Sequence, residues 1–212
     1  MKRSRLRKVF WAVALVAFGV AALALVACGS DTAPTDLPTR TTPVAAYSFS
    51  SQKSVGETDY DRETDGLEFV PWVDVEVTAL GYCDEGGDGL VNEHTVGIFE
   101  KSNRQLVSDT VTVDDGSTLE GVFRYEEITP VVLKGGTSYV VAGSTNAPYD
   151  LMAGGAGGTD AAWAPELRYV TYCYVIGEFA FPWRTKAIHL ENFFTANFTF
   201  RSPSSAAPAA TP

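Results

Sequence analysis

Val73-Asp74-Val75-Glu76-Val77-Thr78 alternates apolar and polar side chains. In an extended chain successive side chains point to opposite faces, so the three valines share one face and Asp74, Glu76 and Thr78 share the other. That pattern predicts a half-buried strand of an antiparallel sheet, with one face packed and one solvated. Outward from it, His94-Thr95-Val96-Gly97-Ile98-Phe99 and Leu106-Val107-Ser108-Asp109-Thr110-Val111 read as two more strands. Lys101-Ser102-Asn103-Arg104 lies between them, a polar connection of hairpin length. Further strands are expected at 122–128, 139–142, 169–176 and 193–200, with Asp114-Asp115-Gly116 and Gly135-Gly136 as turns. No run of helical period interrupts this body, residues 45–201. About eight short strands predict an all-β domain, an antiparallel β-sandwich of jelly-roll-like form.

The N-terminus has a different character. Lys2, Arg3, Arg5, Arg7 and Lys8 precede Val9 to Ala27, a stretch without charge. A basic segment before an apolar one reads as an export signal helix, residues 1–27, and the positive-inside bias sends the rest of the chain across the membrane. The 19 apolar residues are long enough to span a bilayer, so length alone does not separate a cleaved signal from an anchor. Leu25-Val26-Ala27-Cys28 separates them, because it looks like a bacterial lipobox, in which cleavage precedes an acylated cysteine. Lipidation of Cys28 with more than one acyl chain anchors a protein stably. The expected location is the cell envelope, and Gly29 after the cysteine fits the outer membrane where two membranes exist.

Residues 28–44 contain Pro34, Pro38 and Pro43 among Ser and Thr, too little apolar matter for a core. They are expected to form an extended linker, and the Ser, Ala, Pro and Thr of 202–212 a disordered tail.

Charge excludes a further class. The chain has 16 basic and 26 acidic residues, a net of −10. Five of the basic residues and none of the acids precede Cys28, which leaves 11 against 26, or −15, for the remainder. A nucleic-acid partner needs a basic face, so none is expected.

Four groups of side chains are candidates for chemistry. Asp84-Glu85-Gly86-Gly87-Asp88-Gly89 sets carboxylates on a glycine-rich turn, and Asp84 and Asp88 are candidate ligands for calcium. As an EF-hand loop it fails, since Thr95 stands where the bidentate acid belongs. Glu57, Asp59, Asp61, Glu63 and Asp65 fall at every second position; on one strand face they would repel, so they form a solvated loop or are neutralised by a cation, and the solvated loop is expected. Cys83 and Cys173 lie in or beside predicted strands in an oxidising compartment, and a disulfide between them is expected. Among the aromatics, Trp72, Trp163, Trp183, Tyr149 and Tyr172 are candidates to stack on sugars, and Trp163 and Tyr149, which flank the Gly154–Gly158 loop, are expected to be exposed.

Nucleophilic motifs are missing. There is no G-x-S-x-G or H-E-x-x-H, and with two histidines, His94 and His189, and no cysteine cluster, no zinc site is expected. His94 alternates with Val96 and Ile98 and reads as a structural strand residue.

Several blocks carry a resemblance. Val75-Glu76-Val77-Thr78-Ala79-Leu80-Gly81-Tyr82, Asp88-Gly89-Leu90, His94 to Phe99, Phe123-Arg124-Tyr125 with Ile128-Thr129-Pro130, Leu133 to Val140, and Asn197-Phe198-Thr199-Phe200 occur in that order. Together they resemble the DUF4082 domain family, bacterial exported β-sandwiches associated with PEP-CTERM sorting tails. The resemblance implies an exported sandwich and no defined activity. The chain departs from the pattern in having a lipobox in place of a C-terminal sorting helix.

Three functions are expected in order of preference. The first is a membrane-anchored, non-catalytic module for cell-surface binding, adhesion or structure, with a surface polysaccharide or protein as partner and no cofactor. The second is a calcium-dependent carbohydrate-binding module. The third is a glycan hydrolase that uses acids near 57–65.

Overall fold

The computed structural model describes residues 32–49, 54–55, 61–147, 150, 152–155, 161–185 and 192–203. The signal segment, Cys28, Glu57, Asp59, Tyr149, His189 and the tail from 204 lie outside the described residues.

In chain order the strands are β1 Val44–Ala45, β2 Tyr47–Phe49, β3 Ser54–Val55, β4 Arg62–Pro71, β5 Val75–Cys83, β6 His94–Glu100, β7 Val111–Val113 and β8 Thr118–Glu120. They continue with β9 Phe123–Leu133, β10 Tyr139–Asn146, β11 Met152–Gly155, β12 Ala161–Trp163, β13 Leu167–Ile176, β14 Arg184–Thr185, β15 Asn192–Phe194 and β16 Ala196–Arg201. All the strand pairings are antiparallel. Five strands form one sheet in the order β1-β16-β5-β9-β8, and six form a second in the order β14-β13-β4-β10-β6-β7. The protein is an all-β sandwich, as the alternation predicts.

The core lies between the sheets. Val75 and Val77 are buried from one side and meet Leu67, Phe69, Ile98 and Val141 from the other. Phe198 and Phe200 on β16 are fully buried, and Phe69 and Phe198 approach to 4.9 Å between ring centroids. A buried side chain of this size contributes about 1.5–3 kcal/mol. Val73, the first valine of the alternation, is 42% exposed and precedes the strand.

β4 is the strand that the sequence conceals. The alternating acids predict a solvated loop at its start, yet Glu63 to Pro71 are all buried at the centre of the six-stranded sheet. Both of its faces are covered. Leu67 and Phe69 face the core, while Pro182 presses on Gly66, where a Cβ would lie 2.7 Å from Pro182 Cγ. The solvated-loop expectation is therefore overturned for Glu63 and Asp65. Hydrogen bonding replaces water: Asp65 accepts from Thr145 Oγ1 at 2.9 Å and from the Tyr172 hydroxyl.

The expected disulfide is also overturned. Cys83 and Cys173 are both buried, and no disulfide joins them. Cys83 belongs to the main core, whereas Cys173 sits in a separate cluster with Phe99, Val140 and Ala142, roofed by Phe179 and Phe181. Tyr172 points into the main core and its neighbour Cys173 points the other way, as strand alternation requires. A sheet thus stands between the two thiols, and a bridge needs Cβ atoms about 4 Å apart.

At the end of the stretch read as a linker, Arg40 is already tied to the sandwich. Its Nε donates to Glu166 Oε1 at 2.6 Å, and its backbone exchanges hydrogen bonds with Ser202.

Candidate functional site

A groove of about 760 Å³ crosses the five-stranded sheet. Its lining comes from Pro43 before β1, Thr199 and Arg201 on β16, Thr78 and Ala79 on β5, Tyr125 to Ile128 on β9, and Thr118 and Glu120 on β8. It therefore runs across the strands, and its volume falls in the range of small-ligand sites.

Strand alternation sets the face. Tyr82 points at the six-stranded sheet, since a Cβ on Gly143 would meet its ring at 3.0 Å. The neighbouring Gly81 then faces away, and Tyr125, its cross-strand partner, lies over it. No side chain longer than hydrogen fits beneath that ring: a Cβ on Gly81 would be 2.4 Å from Tyr125 Cδ1. Tyr125 is consequently 6% exposed, and its hydroxyl oxygen is buried without a hydrogen-bond partner. Burial pushes the hydroxyl's pKa up, and the charge of Glu120 adds to the shift.

The groove is acidic. It contains Glu120, Glu126 and Glu127. Its basic side chain, Arg201, is held by Glu76, with Nε 2.5 Å from Oε2. Among the described residues no cation pairs with the three glutamates. Thr78 and Thr199 join their hydroxyls at 2.9 Å. Such a surface offers hydrogen-bond acceptors and hydroxyls along a channel and repels anions. The resemblance runs through Tyr125 and Thr199, but sequence reasoning singles out neither; a buried aromatic opposite a strand glycine is the available signal.

The structure brings Asp84 and Asp88 together in a smaller recess of about 210 Å³ and adds Asp150, which the sequence does not suggest. Two of these carboxylates are already committed. Asp84 is 2% exposed; its Oδ2 accepts from Arg124 Nε at 2.7 Å and its Oδ1 from the Gly89 amide at 3.2 Å. Asp150 accepts from the amides of Val91 at 2.6 Å and Asn92 at 3.2 Å. Among the described residues no three His, Cys, Asp or Glu side chains are grouped to hold a metal ion. Calcium, which takes six to eight oxygens, would have to displace an ion pair here.

A polar network crosses the interior beside that recess. His94 is fully buried, with Nδ1 2.7 Å from the Ser144 carbonyl and Nε2 2.8 Å from Asp150 Oδ2. Its ring stacks on Tyr82, 3.6 Å between centroids and 5° from parallel. The Tyr82 hydroxyl meets Thr145 Oγ1 at 3.0 Å, which leads on to Asp65 and Tyr172. His94 lies on β6, buried like Val96 and Ile98, with which it alternates. Asp65 is 0% exposed, so the path ends inside the fold.

Of the aromatic candidates, Trp163 is not on an open surface. It is half-buried, packed 4.9 Å from Tyr47 and 5.4 Å from Tyr169. Tyr172 is in the core, and Trp72 lies beneath Arg168 at 5.3 Å. Among the described candidates Trp183 is the exposed one, at 57%. Comparison of the chain with protein-family models and with curated proteins finds no match.

Proposed function

We propose that the chain is an exported, lipid-anchored binding protein, whose sandwich holds a surface polysaccharide in the groove across the five-stranded sheet and does no chemistry on it. The groove carries this reading. It is open, and its polar lining is carboxylates and hydroxyls with one arginine, beside prolines and small apolar residues, rather than a serine or cysteine nucleophile beside a base. Sugars are bound through their hydroxyls, and a row of fixed acceptors on a rigid sheet suits them. Leu25 to Cys28 and the proline-punctuated stretch after them fit display on a membrane. The resemblance of the central blocks to exported sandwiches fits the same location.

A glycan array probed with the full chain in detergent, with and without calcium, tests the binding. Retention of a polysaccharide class in both conditions supports the proposal. Retention of none overturns it, and glycan turnover that is lost in a single Glu→Gln variant replaces it with a hydrolase. Precursor build-up in cells treated with a lipoprotein signal-peptidase inhibitor tests the anchor; absence of build-up removes that part.

A further inference from the structure

The polysaccharide reading does not say which sugars fit, and the groove's charge and its orphaned hydroxyl narrow the choice. Glu120, Glu126 and Glu127 line it with no cation among the described residues to balance them, and Arg201 is occupied by Glu76. Tyr125, also lining it, is more than nine-tenths buried and has a hydroxyl without a partner. Buried polar groups are almost always bonded, and an exception points to a ligand or a water that completes it. Unbalanced carboxylates in a concave surface favour a positive ligand and raise its local concentration. A basic peptide meets the charge but needs an apolar anchor pocket, and the exposed lining here is mostly acids, threonines and prolines.

We propose that the groove selects a glycan carrying free amino groups, a glucosamine-type polymer. In this assignment, which rests on the polysaccharide reading, the ammonium groups donate to the glutamates and a sugar hydroxyl completes the hydrogen bonding of Tyr125. The charge-assisted bonds supply the selectivity, since N-acetylation removes both the charge and two donors.

Calorimetry on the full chain tests it with three probes: a glucosamine hexamer, the fully N-acetylated hexamer and hexalysine. The expected result is that the glucosamine hexamer binds at least about tenfold more tightly than either of the others, and loses affinity with added salt. Glu127→Gln should weaken it by about tenfold, while the acetylated hexamer is indifferent to that change. Tyr125→Phe should weaken it too, with an unchanged or higher melting temperature, because an unpartnered hydroxyl contributes nothing to the free fold. Equal binding of the two sugars, or binding indifferent to salt and to Glu127→Gln, overturns the charge selection and leaves the polysaccharide reading standing. Hexalysine binding as tightly as the glucosamine hexamer overturns it in favour of a peptide. Failure of both hexamers, with another glycan retained on the array, overturns the amino-sugar assignment alone; failure of every glycan removes both.

Discussion

Tyr125 lies over Gly81, close enough that one added carbon at Gly81 would sit 2.4 Å from the ring. The contact shapes the groove floor, so a small change beneath it should be felt above it. Gly81→Ala must push the ring off the strand, and overpacking of this kind costs about 1–3 kcal/mol. A drop of several degrees in melting temperature is expected; a variant that melts with the wild type would show that the ring is not seated there.

The path from Tyr82 through Thr145 to Asp65 and Tyr172 is buried along its length. Thr145→Val keeps the shape and removes the shared hydroxyl. It takes a donor from Asp65 and a partner from Tyr82, so a loss of about 2–4 kcal/mol is expected in denaturant titrations. A loss within about 0.5 kcal/mol would mean that Thr145 does not close the network.

Asp150 gives the fold a dependence on pH. Burial alone would raise its pKa. The hydrogen bond from His94 and those from the Val91 and Asn92 amides outweigh burial and hold it below the ordinary 3.8. A carboxyl whose folded value lies below its unfolded one contributes stability above the unfolded value, and loses it as pH falls through the folded one. Asp150→Asn should therefore be less stable than wild type at neutral pH. The gap between the two should narrow as the pH drops below about 4. A gap that stays constant down to about pH 3 would contradict the linkage.

Cys173 should be inert in the native state. Burial pushes its thiol up to about 12, leaving almost no thiolate at neutral pH. An alkylating reagent should leave both Cys83 and Cys173 unmodified until the chain is unfolded, and reductant should not change the melting temperature. A reductant-dependent melt would restore the bridge that the strand alternation rules out.

The architecture is readable where apolar and polar side chains alternate and the polar ones turn away from the core. Val75 and Val77 alternate with Glu76 and Thr78, and β5 lies where that alternation predicts a strand. β4 is not readable, because its acids Glu63 and Asp65 turn inward among residues of β10 and β13, whose hydroxyls reach Asp65. A local pattern does not reveal partners that lie 80 and 107 residues away. The same holds for the site. Asp84 and Asp88 sit together in a recess as their spacing suggests, but Arg124, 40 residues on from Asp84, claims one of them. The groove joins residues from both ends of the sandwich sequence, Pro43 to Arg201, and no short motif carries it.

The groove as ligand site is tested most directly by reversing its charge at one exposed position. Binding of the full chain to the array should be compared with that of Glu127→Lys, a surface change on β9 that leaves the core untouched. The account predicts an unchanged melting temperature together with loss of glycan retention. Retention equal to wild type by a folded Glu127→Lys protein would place the ligand elsewhere and contradict it.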